Sequence, residues 1–183
     1  VPRKSVFKIL TSSGTSGQAV SKIFLSKETA KLQTKALSKI VCSIIGKKRV
    51  PMLIIDAPNV ISNRNNFSAR GAGILGFSLF GKKKEYALDE QMELRIEAIT
   101  AFLKQHEGSK TLLFGFTFMI FQYFLKILED RNINLNLSDS VLIHGGGWKK
   151  LIDQKISSKE FKQRLHRCCG IKTVIDYYGM VEQ

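Results

Sequence analysis

Seven of the eight residues Thr11, Ser12, Ser13, Gly14, Thr15, Ser16, Gly17 and Gln18 are Ser, Thr or Gly, and they follow an apolar-rich segment, Val6 to Leu10. That combination suits the wrapping of an oxyanion such as a phosphate. Glycine permits positive φ and close backbone approach. Successive N–H groups then form an anion-binding concavity, and the hydroxyls add donors. The same composition also serves a plain loop or linker. It is not a Walker A loop, which needs Gly-Lys-Ser/Thr after its spacer; Ala19-Val20-Ser21 stand at that distance from Gly14.

Two later stretches have the residue types for ligand contact. His144-Gly145-Gly146-Gly147-Trp148-Lys149-Lys150 follows the apolar Val141 to Ile143. Its consecutive glycines let a flat group lie against bare backbone, although a flexible turn has the same composition. Asp176-Tyr177-Tyr178-Gly179-Met180-Val181-Glu182-Gln183 brings an aromatic and a carboxylate together. Asp56 and Asn59 follow the apolar Met52 to Ile55. Ligands collect at such strand ends, but an Asx turn before Pro58 is the simpler reading. Arg70 suits a phosphate or carboxylate; a solvent-facing arginine is the plainer expectation.

The elements that must position these residues follow from periodicity and breakers. Val6–Leu10 and Ser21–Leu25 read as strands of a hairpin around the Ser/Thr/Gly stretch. Lys27–Ile45 has helical spacing, with Ser26 as N-cap and Gly46 past its end. Met52–Ile55 and Thr111–Phe116 are apolar runs expected as buried strands, followed by Ser140–Ile143 and Lys172–Ile175. Asn63–Gly81 reads as a loop, and Lys82-Lys83-Lys84 as a solvated turn. Asp89–His106 reads as an amphipathic helix. Thr117 is expected to cap a helix over Phe118–Asp130 that is apolar on nearly every side. Such a helix is core, or else lines an apolar cavity fit for an acyl chain. A short basic helix is expected over Phe161–Cys168. Strands alternating with helices predict an α/β fold with a largely parallel sheet and flanking helices. The three ligand-type loops should then meet at one sheet edge.

The whole chain has 183 residues and a formal net charge of +14, with 44% apolar residues, which predicts a packed core rather than disorder. The basic residues are spread from Arg3 to Arg167, so the charge is a weak sign of nucleic-acid binding. Cys42, Cys168 and Cys169 make no disulfide framework and point to a reducing, cytoplasmic setting. No CxxC or HExxH pattern offers a metal site. The longest apolar stretch, Thr111 to Leu125, is short for a membrane span.

The three loops together resemble the adenylate-forming (AMP-binding) superfamily. Thr11 to Gly17 is similar to its phosphate loop, Gly145 to Gly147 to the segment lining the adenine, and Tyr178-Gly179-Met180-Val181-Glu182 to its Tyr-Gly-x-Thr-Glu motif. His144 to Lys149 and Tyr178 to Gln183 look closest to the acyl-protein synthetases (luciferin-component ligases). These feed bacterial fatty-acid reductases, so an acyl reductase is an implied partner. Relatives of phenylacetate-CoA ligase are the next nearest. The resemblance implies that Thr11, Ser12, Ser13, Gly14, Thr15, Ser16 and Gly17 hold the ATP phosphates, Thr15 with a catalytic role. Gly145, Gly146 and Gly147 would border the adenine. Tyr178 would stack on it beside Gly179, and Glu182 would be catalytic and bind Mg²⁺. Two departures stand out: Val20 replaces a frequent Lys, and Val181 replaces the usual Thr.

The implied activity is ATP-dependent conversion of a fatty or other carboxylic acid to an acyl-adenylate, with transfer to a thiol of a protein or of CoA. Residues 1–183 would form part of the ATP- and acyl-binding domain. The mobile C-terminal domain, the ribose-binding Asp and an acceptor Cys would lie beyond them, leaving this piece inactive alone. Two other readings remain open at this point: a basic nucleic-acid-binding domain, and a nucleotide-binding scaffold without catalysis.

Overall fold

A computed structural model describes residues 6–11, 22–62, 69–146 and 156–177. They fall in two compact units, one within residues 1–47 and one within 48–178.

In the first unit the expected hairpin forms. Strand β1 (Lys8–Thr11) pairs antiparallel with β2 (Lys22–Leu25), with Thr11 opposite Lys22. Helix α1 (Lys27–Ile45) starts at Ser26, whose hydroxyl accepts from the Thr29 N–H at 3.1 Å. It stops at Gly46, whose φ of +92° a larger residue would resist.

The second unit is built on a five-stranded sheet: β3 (Val50–Ile55), β4 (Gly81–Tyr86), β5 (Thr111–Phe116), β6 (Ser140–Gly145) and β7 (Thr173–Tyr177). Every neighbouring pair is parallel, and the order is β4-β3-β5-β6-β7. The α/β parallel architecture is therefore as the alternation of apolar runs and helices predicts. The chain steps one way from β3 to β4 and then back across β3 to β5. That reversal makes the carboxyl ends of β3 and β5 the switch point of the sheet, the place where ligands of such sheets bind.

Helices cover both faces, and the alternating side chains of the strands sort between them. Leu53, Ile55, Leu113 and Leu142 join one buried cluster with Ile99 and Phe102 of α3 (Ile96–Gln105) and Phe161 and Leu165 of α6 (Ser158–Cys169). The helical stretch after β5 fills the middle of the same layer. It runs as α4 (Thr117–Ile120), a π-helical turn (Phe121–Leu125) and α5 (Lys126–Asp130). Met119, Ile120, Phe121, Phe124, Leu125 and Leu128 are all buried in that cluster, so this helix is chiefly core. On the other face Phe77 stacks on Phe114 at 4.3 Å between ring centroids.

Three expectations are corrected. Residues 69–77 are not loop but a helix, α2 (Ala69–Phe77). Its glycines hide the helical period, and one of them is needed for packing. A Cβ on Gly73 would stand 3.2 Å from the Phe116 ring and 3.3 Å from that of Phe114. The three lysines form an edge strand rather than a turn, with Lys82, Lys83 and Lys84 all exposed. A charged edge discourages further strand pairing. Lys83 sits at a bulge opposite Pro51 and Met52, with φ +49°. Lastly, the helix expected from Asp89 begins only at Ile96. The Asp89 carboxylate accepts from the N–H groups of Gln91 and Glu93 at 2.9 and 2.8 Å, building a turn where a helix start is expected.

Candidate functional site

The chemistry-bearing residues of the second unit gather at the carboxyl ends of the parallel strands. Asp56 follows β3, Thr117 follows β5, His144 and Gly145 close β6, and Asp176 and Tyr177 close β7. Register places His144 beside Asp176 and Gly145 beside Tyr177.

Thr117 ties two of these ends together. Its hydroxyl donates to the Gly145 carbonyl at 3.0 Å and lies 2.9 Å from His144 Nδ1. A hydroxyl has one proton, so the oxygen accepts from Nδ1–H, which assigns the His144 tautomer. The sequence suggests Thr117 as a helix cap. Instead it is the first helical residue, and its hydroxyl is spent on β6. Burial lowers the His144 pKa below its usual value. Asp176, with Oδ1 3.9 Å from Nδ1, opposes that shift, and the positive charge of Lys162 adds to it.

His144 is therefore neutral at neutral pH, and the sign of the linkage follows. The folded state binds fewer protons than the unfolded one, so stability falls as pH drops below about 6.5. The His144→Gln variant should lose that part of the slope in urea unfolding between pH 7.5 and 5.5. Equal slopes in both proteins would refute the assignment.

Gly145 and Gly146 are glycines for reasons inside the protein. A Cβ on Gly145 would meet the Tyr177 carbonyl oxygen at 2.9 Å. At Gly146, φ is +88°, and a Cβ would stand 2.3 Å from Phe116 Cδ1. Phe116 is thus wedged between Gly73 on one side and Gly146 on the other. The resulting edge is flat backbone beside the exposed ring of Tyr177.

Asp56 and Arg70 form a second constellation, at the β3/β5 switch point. Asp56 is fully buried, and its Oδ1 accepts from the Ala57 N–H at 2.8 Å and from Arg70 Nη2 at 3.0 Å. No Asx turn forms at Asp56, because the residue two positions on is Pro58, which has no N–H; the carboxylate takes the adjacent Ala57 N–H instead, and a 3-10 turn starts at Pro58. Arg70, expected to face solvent, is only partly exposed, and its guanidinium is turned onto Asp56. Burial raises the Asp56 pKa, against the pull of the Ala57 N–H and of Arg70. Tyr86, at the end of β4, is likewise pushed up by burial and by the Asp56 charge. The sequence signal for this pair is weak: a lone Arg in a Gly-rich stretch, far along the chain from its Asp.

Of the residues singled out from sequence, Thr11 ends β1, and Gly145 and Gly146 lie as described. Ser12, Ser13, Gly14, Thr15, Ser16, Gly17, Gly147, Tyr178, Gly179 and Glu182 fall outside the described residues. Among the described residues no group of three or more His, Cys, Asp or Glu is placed to hold a metal ion. No helix among them is long and apolar enough to cross a membrane. Cys168 and Cys169 are buried thiols raised by that burial, which disfavours the nucleophilic thiolate.

A family model described as "Acyl-protein synthetase, LuxE" matches residues 3–183. The chain belongs to that family. No curated protein gives a significant match. Membership implies acyl-protein synthetase activity, the activation of a fatty acid and its transfer to a protein acceptor. Within the acyl-protein synthetase frame, Cys168 and Cys169 make poor acceptors, since both thiols are buried and protonated. The strand-end cluster is the part of the described structure with the chemistry for a ligand site: a buried ion pair, a neutral imidazole and a bare glycine edge.

Proposed function

We propose that this acyl-protein synthetase activates its fatty acid with ATP, forming an acyl-adenylate and pyrophosphate before the acyl group passes to a protein thiol. The observation that carries the reading is the Gly145–Gly146 edge seated against Phe116 and Tyr177 at the carboxyl ends of a parallel sheet. Flat backbone beside an exposed aromatic ring fits a purine base. Under this reading Gly145, Gly146 and Gly147 border the adenine, with Tyr178 stacked on it and Gly179 alongside. Thr11 to Gly17 supply backbone and hydroxyl donors to the phosphates. This reading places the chain in the adenylate-forming superfamily, and its support is the resemblance of the Thr11–Gly17, Gly145–Gly147 and Tyr178–Glu182 stretches to that superfamily's motifs.

Catalysis then rests on positioning and on neutralising charge. Glu182 would hold Mg²⁺ together with phosphate oxygens, a donor set that suits this cation. When bound, the ion supplies charge neutralisation on the polyphosphate. Thr117 and His144 keep the end of β6 in place, so the glycine edge meets its ligand preformed. Residues 1–183 serve as the ATP- and acyl-binding part, and a mobile domain completes the site in the intact enzyme. An acyl reductase is the natural consumer of the acylated protein.

The test is acylation by the intact enzyme. Incubated with hexadecanoate, ATP and Mg²⁺, it should gain one acyl group in intact-mass spectra. The Glu182→Gln protein should gain none while remaining folded. Equal acylation of both proteins would remove Glu182 from the mechanism, and acylation without ATP would remove the adenylate.

A further inference from the structure

The geometry points to Arg70 as the residue that receives the carboxylate of the fatty acid, with Asp56 holding it in place. This inference rests on the acid-activating reading above. Asp56 ends the strand at the switch point, where ligands of doubly wound sheets bind. Arg70 reaches it from the first turn of α2.

The guanidinium is under-used. It has five N–H donors. Nη2 serves Asp56, and Nη1 meets the soft Met119 sulfur at 3.5 Å. Arg70 Nε and Asp56 Oδ2 are buried with no hydrogen-bond partner among the described residues. Buried polar atoms are normally satisfied, and a buried ion pair is a poor source of stability. An ion pair kept with unsatisfied atoms at the switch point of the sheet is a candidate ligand contact. The side chain is 29% exposed, so a ligand can reach it.

Two features choose a carboxylate over a polyphosphate. The surroundings are apolar: the guanidinium carbon lies 5.9 Å from the centroid of the Phe118 ring, and Met119 flanks it. That rim suits an alkyl chain ending in one charged group. The Asp56 carboxylate also cancels most of the arginine charge. The pair keeps little net positive charge to balance the several negative charges of a triphosphate, whereas a single carboxylate can be held by the guanidinium N–H donors themselves.

The test uses the intact enzyme and the Asp56→Asn/Arg70→Gln double variant, which leaves no buried charge unpaired. In pyrophosphate exchange the KM for hexadecanoate should rise roughly 10–100-fold, the worth of one hydrogen bond to a charged group. The KM for ATP should stay unchanged. Arg70→Lys, which keeps a positive charge beside Asp56, should give an intermediate KM, and it supplies the comparison if the double variant does not fold. A raised KM for ATP with an unchanged KM for the acid would overturn the assignment in favour of a phosphate, and two unchanged values would overturn it outright.

Binding without turnover separates this inference from the function it rests on. The native protein should bind hexadecanoate more tightly than hexadecanol, by tryptophan fluorescence or thermal shift, and the variant should bind both alike. No exchange by the native enzyme would count against the proposed function. The binding comparison would then decide on Arg70 alone: an acid preference lost in the variant supports it, and equal binding by the native protein overturns it.

Discussion

Arg70→Met should destabilise the protein by about 3 kcal/mol at pH 7, toward the lower end for a broken buried ion pair because Arg70 keeps some contact with solvent. The loss has a ceiling, since Asp56 can escape by taking up a proton. From an unfolded pKa near 3.9, that costs about 1.4 kcal/mol per pH unit, roughly 4 kcal/mol at pH 7 and 1.5 kcal/mol at pH 5. The effect must therefore shrink as pH falls. The sign agrees with linkage: a carboxyl whose folded pKa is raised is most favourable below its unfolded pKa, and stability is lost as pH rises through the folded value. Burial already raises Asp56 with Arg70 present, so removing Arg70 moves it further the same way. Asp56→Asn/Arg70→Met should recover most of the loss. Urea unfolding at pH 5 and 7 checks this. A penalty that is the same at both values, or below about 1 kcal/mol at pH 7, would mean the pair is hydrated and not buried.

Gly146→Ala should reduce activity by a larger factor than it reduces stability. The new methyl would fall 2.3 Å from Phe116 Cδ1, at a φ of +88°. Holding a non-glycine residue in such a region costs about 1–3 kcal/mol. The Phe116 ring cannot simply swing aside, because Gly73 of α2 is packed against its other end. The glycine edge must shift instead. A displacement of about 1 Å at a reacting geometry lowers rate on the order of 10²-fold. Acyl transfer by the variant, compared with its melting temperature, separates the two effects. Activity within twofold of native would show that the edge does not border the ligand.

The parallel sheet was legible because its strands β3, β5 and β6 are apolar on both faces, a pattern that burial on both sides produces. The caps of α1 were legible because Ser26 and Gly46 act through local backbone chemistry. What stayed hidden depends on contacts distant in sequence. Helix α2 is glycine-rich because Phe114 and Phe116 press on it, and no local signal reveals those rings. The lysine strand β4 looks like a turn because an edge strand has only one side to pair. The acidic run at Asp89 mimics a helix start while its side chain closes a turn. In the site, the glycines at 145 and 146 were legible by type. The Thr117–His144 contact and the Asp56–Arg70 pair were not, since each joins residues brought together only by the sheet.

The most direct test is ATP–pyrophosphate exchange by the intact enzyme across a series of carboxylic acids. Exchange should depend on a long-chain fatty acid and on Mg²⁺, with hexadecanoate far better than acetate. It should disappear in Glu182→Gln. No exchange with any fatty acid, from an enzyme that still acylates its protein acceptor, would contradict activation through an acyl-adenylate.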